Sequence, residues 1–514
     1  MVWTRSICKT KIKPAEFICV YRSRTTDSLD EGALKFLSSG YVDYHLLLYD
    51  ILGSEAHLIM LHEIGFLSST SLKDLLAGLE TIRKNPKILD IDKFEDIHEC
   101  IETYLVTNLG YDVGGILQTA RSRNDQVTLD LRMMVRDTIN LISRMLVQLI
   151  DELLSRSEDN FNSIMPMYTH LQQAQLGTFA HFLLSYAEIL SRDLDRLNDS
   201  YDRINLSPLG ACAIGGTSIN IDRYRTSSLL GFKGILNNSI DATTSRDDLI
   251  EYMSSLGIIM LNLSRIAEDF ILWSTTEFGY VEIPDKYSST SSLMPQKKNP
   301  DTLELIRAKA STVVGFLFGA MSLVKGLPSG YSRDLQELKP VLINSSRVVK
   351  ESLNVLIPIV RGLKVNHAHM MDAARSSYAI SVDIAEQLVS QKHISFRSAH
   401  RLVGSIVRTA VEKGNIPLSK LAESDIQNAF GQDASGVEPR DVLKVIQHLS
   451  PEKSIESRLS SGSPSVLQQR KLFDILLEKK KAYEKLISER EKSVNSAFNH
   501  LSHAAERYTQ AGKT

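Results

Sequence analysis

From Asp125 onward the apolar residues Val127, Leu131, Met134, Val135, Ile139, Ile142, Met145, Leu146, Leu149, Ile150, Leu153 and Leu154 recur every three to four positions. A 3.6-residue period held for about 30 residues predicts a helix of roughly 45 Å. The stripe is too wide for one face, so this helix is expected to be buried on more than one side. Asn124 or Asp125 is the expected N-cap. The same periodicity predicts helices from His170 to Arg203, Thr244 to Glu277, Pro300 to Val324 and Leu335 to Leu363, joined by turn-forming segments such as Ser207-Pro208-Leu209-Gly210. Long helices with short connections predict an all-α chain around a long central bundle. A coiled-coil rod is the weaker alternative, because the heptads lack consistent e and g charges.

The flanks read differently. Residues 1–24 form a basic extension (Arg5, Lys9, Lys11, Lys13, Arg22, Arg24) without the apolar run or cleavage site of a signal peptide. Shorter helices are expected over 25–123. The central bundle covers 124–363, and a small helical region with turns near Gly414, Gly431 and Gly436 covers 364–468. An amphipathic helix over 469–514 shows Phe473, Leu476, Leu477, Tyr483, Leu486, Ile487, Val494, Phe498 and Leu501 on one face. Its run Glu478-Lys479-Lys480-Lys481 is expected to be solvated.

Composition narrows the function classes. A formal charge of −2 gives no pull toward nucleic acid or membrane. No apolar run approaches the roughly 20 residues of a spanning helix. Four cysteines without a C-x-x-C pair, in 514 residues, argue against a disulfide framework and for a reducing compartment such as the cytoplasm.

The densest chemistry lies in Ser291-Ser292-Leu293-Met294-Pro295-Gln296-Lys297-Lys298-Asn299-Pro300-Asp301. Pro300 fits the first helical position, and a helix start offers free N–H groups and a positive dipole end to an anion. With Lys297 and Lys298 beside it, such a loop suits proton removal next to a carboxylate, Ser291 or Ser292 taking the proton. A plain capped helix with solvent-facing lysines is the competing reading. Thr119-Ala120-Arg121-Ser122-Arg123-Asn124-Asp125-Gln126 brings two arginines suited to carboxylates, or an ordinary helix start. His170, in Tyr168-Thr169-His170-Leu171-Gln172, is expected at a helix start, either as a proton shuttle or as a structural hydrogen-bonder. Residues 325–337 form a Gly/Pro-rich polar connection able to line a pocket. There is no H-E-x-x-H, no phosphate loop and no G-x-S-x-G elbow. The His367 and His369 pair lacks a convincing third metal ligand.

Taken together, these segments resemble the fumarase/aspartase superfamily, whose signature has the form Ser-Ser-x-Met-Pro-x-Lys-x-Asn-Pro. Within it the chain is similar to the argininosuccinate lyases, through Gln296-Lys297-Lys298, Asp301, Arg121–Val127, Tyr168–Gln172, Asp241-Ala242-Thr243, Leu327–Tyr331 and Asp334–Glu337. The resemblance covers roughly residues 30 to 465. It implies a three-domain lyase whose long helices form the shared core of a homotetramer, with active sites built from several chains. It also implies cofactor-independent, metal-free β-elimination of argininosuccinate to arginine and fumarate.

Position by position, the resemblance makes Ser291 the catalytic base on a mobile loop. Lys297 and Asn299 hold the substrate carboxylate and the carbanion. His170 is a candidate acid or orienting group, with Thr169 beside it. Ser122, Arg123 and Asn124 bind substrate, and Tyr331, Gln336 and Lys339 surround its arginine-like end. Ser39 and Asp43 add an N-terminal contribution, and His98 matches a family histidine of less certain role. Gln118, Ala120, Thr290, Leu37 and Ser332 depart from the residues usual in the family, and its N-terminal Trp-Gly-Gly-Arg-Phe is absent. Thr290 in place of glycine is expected to cost the loop positive-φ freedom. A sister lyase acting on another succinyl adduct such as adenylosuccinate, and a non-catalytic structural homologue, are the alternatives.

Overall fold

Ser122, not Asn124 or Asp125, starts the central helix. Its hydroxyl accepts from the Asn124 N–H while Asp125 accepts from the Ser122 N–H at 3.0 Å, a reciprocal cap that begins the helix at Arg123. In this computed structural model residue 24 and residues 27–430 and 436–510 are described. Most of the basic N-terminal stretch and Gly431 lie outside them.

Besides shorter turns of helix, α1 (Leu47–Glu63), α2 (Ser69–Lys84) and α3 (Ile97–Leu109) precede the long ones. These are α4 (Arg123–Glu158), α5 (Phe179–Ile204), α6 (Asp247–Trp273), α7 (Asp301–Val324) and α8 (Leu338–Gly362). Then come α9 (Ser381–Lys392), α10 (Phe396–Glu412), α11 (Pro439–His448) and α12 (Val466–Gln510). The chain has the all-α lyase fold.

Cross-helix bonds fix the directions in the bundle. Arg132, near the start of α4, donates to the Arg203 carbonyl at the end of α5 at 2.9 Å. Arg246, at the start of α6, donates to Thr128 of α4 at 3.0 Å. At the opposite end Arg156 of α4 donates to the Leu363 carbonyl just past α8 at 2.6 Å. So α4, α6 and α8 run one way and α5 returns, as does α7, whose Arg307 near its start pairs with Glu268 near the end of α6. The buried side chains of these helices form one core, from Val127 and Leu131 to Leu356 and Val360. A second core joins α1–α3 to Leu209, Leu229 and Phe232, and a third lies within 384–449.

One element departs from the periodicity. Residues 164–178 form an antiparallel hairpin, β1 (Ile164–Thr169) with β2 (Gln172–Thr178), and α5 begins only at Phe179, capped by Thr178. His170 therefore sits at an exposed two-residue turn and not at a helix start. It and Leu171 have φ of 55° and 58°, the left-handed pair of a type I′ turn. Such turns usually carry Asn-Gly, so His-Leu gave no hairpin signal. Pro300 likewise precedes α7 instead of opening it, and no side chain caps that helix.

The terminal helix runs 45 residues. Its buried Leu476, Tyr483, Ile487, Val494 and Leu501 dock along α4 and α5 and onto the second core. Tyr483 donates to Asp195 at 2.7 Å, and Arg490 to Asn198 at 2.7 Å. Glu478, Lys479 and Lys481 are exposed, but Lys480 is only 14% exposed and pairs with Asp151.

Among the described residues, α7 is long and apolar enough to cross a membrane by length and composition, a helix that a search for unbroken apolar runs passes over. Only Leu303, Ile306, Ala310, Val313 and Ala320 of its residues are buried in the single chain, while Phe318 is 67% exposed and Leu305 57%. Most of the apolar surface of α7 is therefore open in the single chain.

Candidate active site

The bundle sorts the proposed site residues onto its two ends. At the end where α4, α6 and α8 begin, Lys339 is almost fully buried and donates to Ser39 Oγ at 2.8 Å and to Asp43, while Ser39 donates to Asp43 at 2.6 Å. Gln336 donates to the Leu37 carbonyl at 3.0 Å, and Arg333 pairs with Glu95 at 2.6 Å. These bonds strap residues 37–43 across the start of α8. Tyr331 lies near Arg246, Arg333, Asp96 and Asp43; burial, more than the neighbouring carboxylates, raises its phenol above its ordinary value. Ser122, Arg123 and Asn124 open α4 at the same end. Arg123 pairs with Asp96 at 3.1 Å and donates to Gln126 at 3.1 Å. Asn124 donates to the Ala213 carbonyl at 3.0 Å, and Asp125 accepts from the Gly210 and Cys212 N–H groups, so the 210–213 loop is held against the helix start.

At the opposite end lie the β1–β2 turn, with Thr169 and His170, and the loop before α7. That loop is closed by the pairing of Ser289–Thr290 with Lys298–Asn299 and by a 3.3 Å bond from the Ser291 N–H to the Lys297 carbonyl. Ser291 and Lys297 thus share one short hairpin. The Ser291 hydroxyl oxygen accepts from the backbone N–H groups of Leu293 (3.2 Å) and Met294 (3.0 Å). Lys297 is exposed, whereas Lys298 is tied to Asp285 (2.6 Å) and Glu282 (3.1 Å). The Asn299 amide reaches Ser289 at 3.5 Å, and Ser289 donates to Asp301.

The helix α7 runs from one group to the other. Its 24 residues span about 36 Å. Within one chain, therefore, Ser291 and Lys297 cannot share a pocket with Arg123 and Lys339.

The family departures have unequal consequences. Thr290 is in extended backbone, so the expected loss of positive-φ freedom does not arise in this conformation. Ala120 is the strained one, at φ 53° where glycine is usual, a cost of about 1 kcal/mol or more. The Gln118 amide bonds the Arg121 carbonyl at 3.4 Å.

The structure also shows a buried ionic cluster that the sequence reading did not assemble. Asp50 on α1, His98 on α3 and Asp130 on α4 present ligand atoms within 4.8 Å of one another, all buried. Arg121 stands beside the two carboxylates and supplies positive charge that a metal ion would bring. Burial opposes a charged His98, but Asp50, Asp130 and Asp96 raise its pKa, so it holds its proton. The signal was available: Asp130 interrupts the apolar stripe between Leu129 and Leu131. Nearby, burial pushes His57 down to about 3, Arg121 adding to the effect. His57 is neutral in the fold but takes a proton once unfolded below pH 6.5. Stability is therefore full above pH 6.5 and falls by up to about 1.4 kcal/mol per unit as pH drops toward 3. His57→Gln, which can still donate to the Thr119 carbonyl, is expected to flatten the fall of Tm between pH 6.5 and 4.5, read by thermal scans.

Comparison with known proteins shows the family. A family described as Lyase matches residues 24–315, and one described as Argininosuccinate lyase C-terminal matches 378–456. The chain is 43% identical to the argininosuccinate lyase of Nitrosopumilus maritimus over 94% of this chain and 98% of that one. It is 42% identical to that of Caldanaerobacter subterraneus, over 87% and 99%. Among solved structures it resembles an EDDS lyase in complex with formate (TM-score 0.84, 28% identity, 95% and 98% covered). The class II fumarase of Schistosoma mansoni, at 16% identity and TM-score 0.67 over 80% and 91%, shares the fold.

Proposed function

Since the chain belongs to the argininosuccinate lyase family, we propose how its residues divide the work of splitting argininosuccinate into arginine and fumarate. It is a carbon–nitrogen lyase. The observation that carries the reading is the roughly 36 Å between the Ser291–Lys297 hairpin and the Arg123–Lys339 group, together with a bare apolar α7 along that length. A second copy packed antiparallel on α7 brings one chain's hairpin to the other chain's opposite end. A homotetramer with sites shared between chains satisfies both facts.

In the proposed step Ser291, deprotonated, takes the proton from the carbon beside a succinyl carboxylate. The C–H electron pair moves into the carboxylate as an aci-carboxylate, then returns to form the C=C bond as the C–N bond breaks. The departing guanidinium nitrogen takes a proton from His170 or a water that it holds. The two N–H donors on the Ser291 oxygen support the base role, because they favour its charged form. Lys297 and Asn299 hold the doubly charged carboxylate, with Thr169 beside the acid. Arg123, with Ser122 and Asn124, receives the second carboxylate, and Tyr331, Gln336, Lys339, Ser39 and Asp43 enclose the arginine-like end. The elimination transfers no electrons to an acceptor, so it needs no redox cofactor, and in the proposed step Lys297 and Asn299 supply the charge stabilisation that a Lewis-acid metal would otherwise give. The cytoplasm is the proposed location; the free, buried Cys100 and Cys212 suit a reducing compartment.

The test is fumarate release, followed by ultraviolet absorbance, from argininosuccinate and from adenylosuccinate in parallel. Release from the first alone supports the reading; release from adenylosuccinate alone overturns it. For assembly, Phe318→Asp is expected to convert a tetramer to smaller species in light scattering, with activity lost in step. An unchanged mass would remove α7 from the interface.

A further inference from the structure

The guanidinium of Arg123 is held by Asp96 and Gln126, with Glu102 Oε2 3.9 Å from its Nη2, and the first two contacts lead to one buried cluster. The Arg123 Nε lies 3.1 Å from Asp96 Oδ2, and its Nη1 donates to Gln126 Oε1 at 3.1 Å. Asp96 caps α3, accepting from the Glu99 N–H at 2.8 Å, and its Oδ1 lies 3.6 Å from His98 Nδ1. His98 Nε2 bonds Asp130 at 2.8 Å, and the Gln126 amide donates to Asp50. Two branches thus leave Arg123, one through Asp96 and His98 to Asp130 and one through Gln126 to Asp50, and they end in the same cluster, where ligand atoms of Asp50, His98 and Asp130 lie within 4.8 Å of one another.

A cluster of this kind is a poor way to hold helices together. Two buried carboxylates and a buried imidazole, with Asp96 partly exposed beside them, cost more to desolvate than an apolar contact of the same size. Asp50 Oδ2 and Asp130 Oδ1 find no hydrogen-bond partner among the described residues, so the cluster is not satisfied for its own sake. What it does achieve is to fix two N–H groups of an arginine that is itself 22% exposed at the helix start. A planar guanidinium recognises a carboxylate through its fixed fork, so its orientation sets the affinity.

We propose that Asp96, His98, Asp130 and Gln126 form a positioning network that sets the Arg123 guanidinium for a substrate carboxylate. The proposal rests on the assignment of Arg123 as a substrate-binding residue. Its partners touch no substrate and act through Arg123. Because that contact is made in both ground and transition states, the network is read in KM more than in kcat. Asp96→Asn keeps the cap acceptor and removes the charge, whereas Gln126→Met cuts the second grip without removing a charge.

The experiment measures KM and kcat for argininosuccinate on the full-length protein, alone and in the Arg123→Lys background. Each single variant is expected to raise KM about tenfold, the loss of one hydrogen bond to a charged group, with a much smaller change in kcat. In the Arg123→Lys background the further rise should be under about twofold, because coupled residues are not additive. Variants with a lowered Tm and unchanged KM, or with fully additive effects, overturn the proposal. If one variant fails to fold, the other decides, and failure of both to fold assigns the network to stability instead. An inactive wild type would sink the Arg123 assignment itself, an outcome separate from unchanged KM in active variants.

Discussion

Ser291→Ala is expected to lower kcat by about 10²–10⁴-fold, the usual worth of a positioned proton acceptor, with KM nearly unchanged. The hydroxyl reaches the substrate only through the carbon-bound proton, so its loss is felt in the transition state and not in binding. Its oxygen already accepts from the Leu293 and Met294 N–H groups, an arrangement that steadies negative charge where an ordinary serine has none. The alanine variant should keep the wild-type mass and Tm, because among the described residues Ser291 bonds only to Leu293, Met294 and Lys297. Steady-state fumarate release checks this. Retention of most of the activity would remove Ser291 as the base.

Lys297→Met is expected to cost about 10²–10³-fold in kcat, the typical loss of one donor aimed at developing charge. The neighbouring lysine provides the control. Lys298 is tied to Asp285 and Glu282 in an exposed ion pair, whose removal should change activity less than about fivefold. Equal losses from Lys297→Met and Lys298→Met would mean that general positive charge, and not the Lys297 amine, stabilises the carbanion. The pair of variants can be compared in one assay at two salt concentrations. A field effect fades with added salt and a direct contact does not.

The bundle was legible because its signal is redundant. Val127 through Leu154 repeat the 3.6-residue period often enough that no single exception matters. The loop at 291–301 was legible for another reason: its residue types are poor core and poor linker, and the structure gathers Ser291 and Lys297 onto one hairpin. The β1–β2 turn was not, since His170 and Leu171 take backbone angles that their side chains do not advertise. Nor was the Asp50–His98–Asp130 cluster, because its members are 32 to 80 positions apart in the chain. Only Asp130, a charge inside an apolar stripe, hinted at it. The roughly 36 Å separating the two groups of site residues is a property of helix length and direction together. Length was readable from the sequence, but direction needed the bonds from Arg132, Arg156 and Arg246.

The most direct test of shared sites mixes two damaged chains. Ser291→Ala and Arg123→Ala lesions lie at opposite ends of the bundle, and each alone should be nearly inactive. Co-expressed with different tags and purified through both, the mixed oligomer is expected to regain a substantial fraction of wild-type fumarate release. Some of its sites then draw an intact hairpin from one chain and an intact Arg123 from another. Mixed oligomers, verified by native mass spectrometry, that show no more activity than their parents would contradict the account.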